Sequence, residues 1–165
     1  MTDDPTDDRY KRGMRTRREV LGDNYVDRAI ANATPFTAPF QEFITRVAWG
    51  DIWSRPGLDR RTRSCITLAA LTVLGNDHEL ALHVRAAIRN GLSHAEIAEV
   101  LLHTAAYAGI PAANRAFSIA ADTLSKIAAE DTVELKPGEA GHGDASPMPP
   151  RLERPAPGTT PPKRG

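Results

Sequence analysis

Glu79 and His83 are the residues of this chain whose types and spacing best suit chemistry. They lie four apart in Asn76-Asp77-His78-Glu79-Leu80-Ala81-Leu82-His83-Val84-Arg85, and residues four apart share one face of a helix. A carboxylate one turn from an imidazole can hold or move a proton near neutral pH. Upstream, Arg60-Arg61-Thr62-Arg63 supplies guanidinium groups, whose planar forks match carboxylates. Together these types fit an anionic substrate that gains or loses a proton. Each also has a structural alternative. Glu79 stands three after Asn76 and can complete a capping box. A histidine on an alanine-rich helix can be a satisfied core residue, and Arg60 and Arg61 can be a solvated face.

The elements that position these residues read as all-α. A first helix is expected through Tyr10–Leu21, stopped by Gly22, with Asp23 able to cap the next. Pro39 sits near the start of a third pattern, in which Phe40, Phe43, Ile44 and Val47 recur at helical spacing until Pro56-Gly57. Asp59 can cap the following helix, with Ile66, Ala69, Ala70 and Val73 on one face and Gly75 at its end. Asn76 is placed as the cap of the helix that carries Glu79 and His83, closed by Asn90-Gly91. Ser93-His94-Ala95-Glu96 has the capping-box spacing and opens a helix to about Ala108; Pro111 then starts the last one, to about Ala129. No segment alternates with a period of two in β-branched residues. About six helices are expected, in a compact bundle. Paired alanines such as Ala86-Ala87 and Ala112-Ala113 let helices approach closely but bury little area each, so a lone bundle would be modestly stable and assembly with further copies would add burial.

Three regions are expected: a flexible acidic N-terminus over 1–8, the helical domain over 9–130, and a tail over 131–165. The last region holds eight of the 13 prolines and no aromatic residue, a composition that cannot bury enough apolar area to become ordered. The 21 basic and 21 acidic side chains cancel, which removes the electrostatic case for nucleic acid or an anionic membrane as partner. One cysteine, Cys65, allows no internal disulfide and no CxxC pair. The acidic start lacks the apolar core of a signal peptide, and no apolar run approaches the roughly 20 residues needed to span a bilayer. A cytoplasmic protein is expected.

Several strings then point one way: Ile44-Thr45-Arg46-Val47-Ala48-Trp49-Gly50-Asp51-Ile52-Trp53, Arg55-Pro56-Gly57-Leu58-Asp59-Arg60-Arg61-Thr62-Arg63-Ser64, Glu79-Leu80-Ala81-Leu82-His83-Val84-Arg85, and Tyr107-Ala108-Gly109-Ile110-Pro111-Ala112-Ala113-Asn114. Together they resemble the carboxymuconolactone decarboxylase family over about residues 9–128, and within it the decarboxylase subgroup. The resemblance implies an all-α fold and a homo-oligomer, commonly a hexamer. Peroxidase-linked members of the wider superfamily carry a CxxC; its two cysteine positions fall here on Asn76 and Glu79, and Ser64 stands at a glutamate position, so only His83 persists. That departure counts against thiol peroxidase chemistry.

The activity implied is decarboxylation of 4-carboxymuconolactone to the 3-oxoadipate enol-lactone, in protocatechuate breakdown through the β-ketoadipate pathway. The substrate is an unsaturated five-membered lactone with two carboxylates. Electrons released with CO2 flow through the ring double bond to the lactone carbonyl, so the ring is its own electron sink and no cofactor or metal is called for. The expected roles follow from that chemistry. His83 donates a proton or polarises the carbonyl, and Glu79 holds the imidazole protonated or carries the proton itself. Arg63 and Arg85 bind carboxylate; Trp49 and Trp53 form an apolar wall facing the departing group. Arg46 and Asn114 lie in matching strings as further substrate-binding candidates without an assigned role. The alternatives are a related lactone or enoyl-acid enzyme and a catalytically silent oligomeric member. A helix-turn-helix DNA reader entered at Asn90–Ala98 is the remote one, since Ile110–Phe117 carries one basic residue, Arg115.

Overall fold

Local chemistry sets most of the helix boundaries. The computed structural model describes residues 5–134, which fall in one compact unit. Among them are seven α-helices, one π-helix and no strand: α1 Pro5–Leu21, α2 Asp23–Ala31, α3 Ala38–Ile44, the π-helix Thr45–Trp53, α4 Arg60–Leu74, α5 Asp77–Arg89, α6 His94–Ala108 and α7 Ile110–Glu134. Asp59 accepts the Thr62 N–H at 2.7 Å and starts α4. Gly75 ends α4 at φ 71, a left-handed turn that glycine adopts without a Cβ penalty. Ser93 and Glu96 form the reciprocal capping box that opens α6.

Five expectations shift. The first helix begins at Pro5, inside the segment expected to be flexible, and α7 runs on to Glu134, past Ala129. The remainder of the expected tail, 135–165, lies outside the described residues. Gly22, not Asp23, occupies the α2 cap position; Asp23 instead pairs with Arg18 at 3.0 Å. Asn76 stands at the α5 cap position, yet its side chain makes no capping hydrogen bond. The capping-box alternative for Glu79 therefore has no support in the geometry. The apolar face expected on α4 is the outward one: Ile66, Ala70 and Val73 are exposed, while Ser64, Leu68 and Thr72 are buried. The periodicity marks a helix, but it does not say which side meets the core.

The core has two clusters. Leu68, Leu80, Val84, Ala87, Leu92, Ile97, Leu101, Ala116 and Ala120 join α4 to α7. Val20, Leu21, Val26, Trp49 and Ala86 join α1, α2 and the π-helix to α5. Of the paired alanines, Ala86, Ala87, Ala113 and Ala120 are buried, while Ala70, Ala106 and Ala121 are exposed. Helix α5 faces both clusters, through Leu80, Val84 and Ala87 on one side and Ala86 and Leu82 on the other.

Helix α1 packs along the π-helix, and two glycines make the crossing possible. A Cβ on Gly13 would overlap the Thr45 carbonyl oxygen and lie 2.9 Å from the Gly50 nitrogen; one on Gly50 would lie 2.6 Å from the Arg9 carbonyl oxygen. The crossing is tied by the Arg9 fork on Asp51, with Nε to Oδ1 at 3.0 Å, and by Arg12 Nε donating to the Gly50 carbonyl at 3.0 Å. π-Helix is rare, and its single-turn forms are frequent at functional sites.

Candidate active site

His83 lies on α5 between the two core clusters, and the π-helix brings aromatic rings to it. The Trp53 and His83 rings stack with centroids 6.1 Å apart and planes 23° apart. Trp49 lies behind, 5.3 Å from Trp53 and tilted by 34°. Trp49 is only 6% exposed, so the row is anchored in the core at one end. The structure thus brings Trp49, Trp53 and His83, three of the residues named from sequence, together.

Burial decides the charge on the imidazole. Loss of solvent around His83 pushes its pKa down to about 4; the Glu79 carboxylate opposes this and is outweighed. Glu79 is itself exposed, and among the described residues no hydrogen bond joins it to His83. His83 is thus a neutral imidazole through the physiological range. Its Nδ1 is buried without a hydrogen-bond partner. The expectation that Glu79 keeps the ring protonated does not fit this balance, because a solvated carboxylate one turn away cannot offset desolvation of the ring.

A depressed histidine pKa makes stability depend on pH. The unfolded chain takes up a proton near pH 6.5, and the folded chain does so only near 4. The unfolded state therefore binds more protons between those values. The His83 contribution is intact above about pH 6.5 and is lost as pH falls towards 4, by up to roughly 3 kcal/mol. Urea unfolding of the wild type and His83→Gln at pH 7 and pH 4.5 reads this as a double difference. The variant is expected to lose less stability on acidification; equal losses would show that His83 is not desolvated.

The arginines expected to bind carboxylate are placed elsewhere. Arg63 donates to the Leu58 and Arg55 carbonyls at 3.2 and 3.0 Å, which fastens the turn before α4. Arg85 lies two residues beyond His83, about 200° round the helix. It forms a fork on Glu130 at 2.7 and 2.9 Å, and this contact holds the Glu130 carboxyl below its usual range. Arg85 lines a cleft of about 960 Å³ with Arg18, Arg28, Arg89 and Glu130, which His83, Trp49 and Trp53 do not line. Arg46 pairs with Glu42 at 3.1 Å and stacks over the Tyr10 ring. Asn114 is exposed on α7. Arg60 and Arg61 are exposed and pair with Glu19 and Glu96. His78 is exposed, and His103 packs on the Tyr107 ring at 5.3 Å. Ser64 is buried and accepts from the Asn90 amide at 2.9 Å, while Cys65 packs against the core and burial pushes its thiol pKa up. Among the described residues no three His, Cys, Asp or Glu side chains converge as a metal would need.

Sequence reading missed Arg17. It is 3% exposed, and burial lowers its pKa. Its guanidinium donates to the Thr45 hydroxyl at 3.2 Å and the Gln41 amide oxygen at 2.9 Å, and its Nε has no partner. Arg15, Arg17 and Arg18 look alike in sequence; the 100° step between neighbours turns only Arg17 inward.

Comparison with known proteins settles the relationship. The model of the carboxymuconolactone decarboxylase family matches residues 38–122, just over half of the chain. The chain belongs to the carboxymuconolactone decarboxylase family. It is 46% identical over 119 residues to 4-carboxymuconolactone decarboxylase of Acinetobacter baylyi, covering 72% of this chain and 89% of that protein. It is 45% identical over 132 residues to nitrosuccinic acid decarboxylase npaB of Metarhizium robertsii, covering 77% and 92%. A shorter match, 54% over 43 residues, is to 4-carboxymuconolactone decarboxylase of Pseudomonas putida, covering 26% of this chain and 90% of that one. The family match takes in Trp49, Trp53 and His83; α1, with Arg17, lies before it. The resemblance read from sequence is thereby borne out.

Proposed function

We propose that this chain catalyses the cofactor-independent decarboxylation of 4-carboxymuconolactone to the 3-oxoadipate enol-lactone, within protocatechuate breakdown. The observation that carries the reading is the 46% identity to a decarboxylase of that substrate across most of both chains. The site supports it chemically. Loss of CO2 sends an electron pair through the ring double bond onto the lactone carbonyl, and a neutral imidazole N–H is suited to meet the oxyanion that forms. A histidine kept neutral by its surroundings can polarise a carbonyl in this way. His83 therefore takes the polarising role rather than that of an imidazolium acid. The ring of the substrate lies against Trp53. Glu79, exposed one turn away, relays from solvent the proton taken up by the ring carbon next to the lactone carbonyl, which leaves the double bond at the carbon that lost CO2.

A second reading has its own support, in the 45% identity to nitrosuccinic acid decarboxylase. Nitrosuccinate is also a dicarboxylate, and its nitro group serves as the electron sink, so the same polarising donor suits both. Supplying each compound to the purified chain separates them. Loss of lactone absorbance in a coupled assay with the cycloisomerase that forms the lactone, without CO2 release from nitrosuccinate, is the expected result. Turnover of nitrosuccinate alone would replace the first reading with the second.

The chain is further proposed to act as a cytoplasmic homo-oligomer, a hexamer by the family resemblance. Among the described residues no helix is long and apolar enough to cross a membrane. Large apolar side chains stand in solvent on the isolated chain, including Phe36 at 92% and Tyr107 at 79% exposure, together with Phe40 and Phe43 of α3 and Ile66 and Val73 of α4. Patches of this kind mark association surfaces. Light scattering is expected to give a multiple of the 17.9 kDa chain mass; a monomer at micromolar concentration would contradict assembly.

A further inference from the structure

Among the described residues two buried side-chain polar atoms lack a hydrogen-bond partner: Arg17 Nε and His83 Nδ1. Native proteins rarely leave such atoms unpaired, and each instance calls for a reason. Both lie on helices that pack against the cluster of Trp49 and Trp53. On α1, Met14, Val20 and Leu21 lie three or four residues from Arg17 and pack in the cluster that holds Trp49 and Trp53. Thr45, which accepts from Arg17, precedes Trp49 by four residues on the π-helix, and Trp53 stacks on His83. From Thr45 to Trp53 the axial distance is at most about 12 Å at an α-helical rise. The π-helix thus links the guanidinium, held through Thr45, to the imidazole, stacked on Trp53.

We propose that Arg17 is the carboxylate-binding residue of this site, taking the carboxylate that the substrate retains while His83 meets the reacting ring. The proposal rests on the decarboxylase reading and adds a residue outside the family match. Arg17 is a cation with neutral partners only. Arg9, Arg12, Arg18, Arg46, Arg60, Arg61, Arg85 and Arg115 all pair with carboxylates and are all more exposed. A buried guanidinium whose acceptors are a hydroxyl and an amide is poorly compensated, and a fold gains nothing by keeping it unless an anion completes it. The arginines expected for the task are engaged, Arg63 by backbone carbonyls and Arg85 by Glu130. One end of the Arg17 guanidinium is covered by Gln41. That residue lies on α3, which buries no side chain, so its amide oxygen is the acceptor most easily exchanged for a carboxylate. The exchange replaces a neutral hydrogen bond with a charge-assisted one, and the Arg17 fork can then use its free Nε.

Arg17→Met and Arg17→Lys in the full-length protein test this, with two readouts. In the kinetic readout, KM for the lactone is expected to rise about 30-fold or more in Arg17→Met and about tenfold in Arg17→Lys, with kcat changed far less. In the binding readout, maleate, a planar dicarboxylate that cannot react, is expected to raise Tm of the wild type and not of Arg17→Met. Without ligand, Arg17→Met is expected to melt no lower than the wild type, since it removes an uncompensated buried charge at similar volume. A fastener between α1 and the π-helix would give the opposite pattern: a lower Tm with the maleate response and KM preserved. That result, in either variant that folds, overturns the proposal, as does a wild type with no maleate response. The readouts also separate this inference from the reading beneath it. A wild type that ignores the lactone, yet loses its maleate response in Arg17→Met, removes the substrate assignment and keeps the carboxylate site.

Discussion

His83→Ala is expected to lower kcat on the lactone by about a hundredfold or more, with the helical fold retained. The effect is large because, in the proposed mechanism, the imidazole N–H is the donor that meets charge present only in the transition state. KM should move little, since a neutral donor adds less to binding of the ground-state carbonyl. His83 is only partly buried, and its Nδ1 has no structural hydrogen bond to lose. The mutation therefore removes chemistry before it removes fold, and circular dichroism should show unchanged helix content. Turnover within a few-fold of the wild type would take His83 out of the mechanism and leave the tryptophan row as packing.

Gly13→Ala is expected to destabilise the protein by at least about 3 kcal/mol, the upper range for overpacking. The added carbon would overlap the Thr45 carbonyl oxygen and lie 2.9 Å from the Gly50 nitrogen and 3.0 Å from the Thr45 carbonyl carbon. All three are backbone atoms, so no side chain can swing aside, and α1 must lift off the π-helix. That displacement carries Thr45 and Trp49 with it, so near-ultraviolet circular dichroism from the tryptophans should change as the urea midpoint falls. Gly57→Ala is the control, because nothing lies within 4 Å of its Cβ position. It should be close to neutral. A Gly13→Ala protein as stable as the Gly57→Ala protein would mean that α1 and the π-helix do not cross this closely.

The parts of the fold legible in the sequence were those fixed by short-range chemistry. Asp59, Gly75, the Ser93 and Glu96 pair and Gly109 each act on backbone groups within a few residues, so their types alone mark a boundary. The π-helix was not legible. Over Thr45–Trp53 an α-helix also puts Trp49 and Trp53 on one side, so the pattern of side chains does not betray the wider winding. Helix faces were half legible. Spacing showed that Ile66 and Val73 lie together on α4, but whether they point to the core or outward depends on what packs there. The site divided in the same way. That His83, Trp49 and Trp53 come together was legible from spacing and resemblance, because each is a distinctive type in a distinctive string. The wheel position of Arg85, opposite His83, was available from a step of two residues and argued against a shared pocket. Arg17 was beyond reach: it is one arginine among three in Arg15–Arg18, and its role arises from burial beside Thr45 and Gln41, which lie far along the chain.

The central claim is that the imidazole at position 83 is desolvated, neutral and in contact with bound substrate. Nitrogen NMR of the histidine rings, titrated from pH 7.5 to 3.5 with and without maleate, tests it most directly. One of the five histidines should remain neutral until about pH 4, be absent from the spectrum of His83→Gln, and shift on addition of maleate. A His83 signal that titrates near 6.5 and ignores maleate would contradict the account.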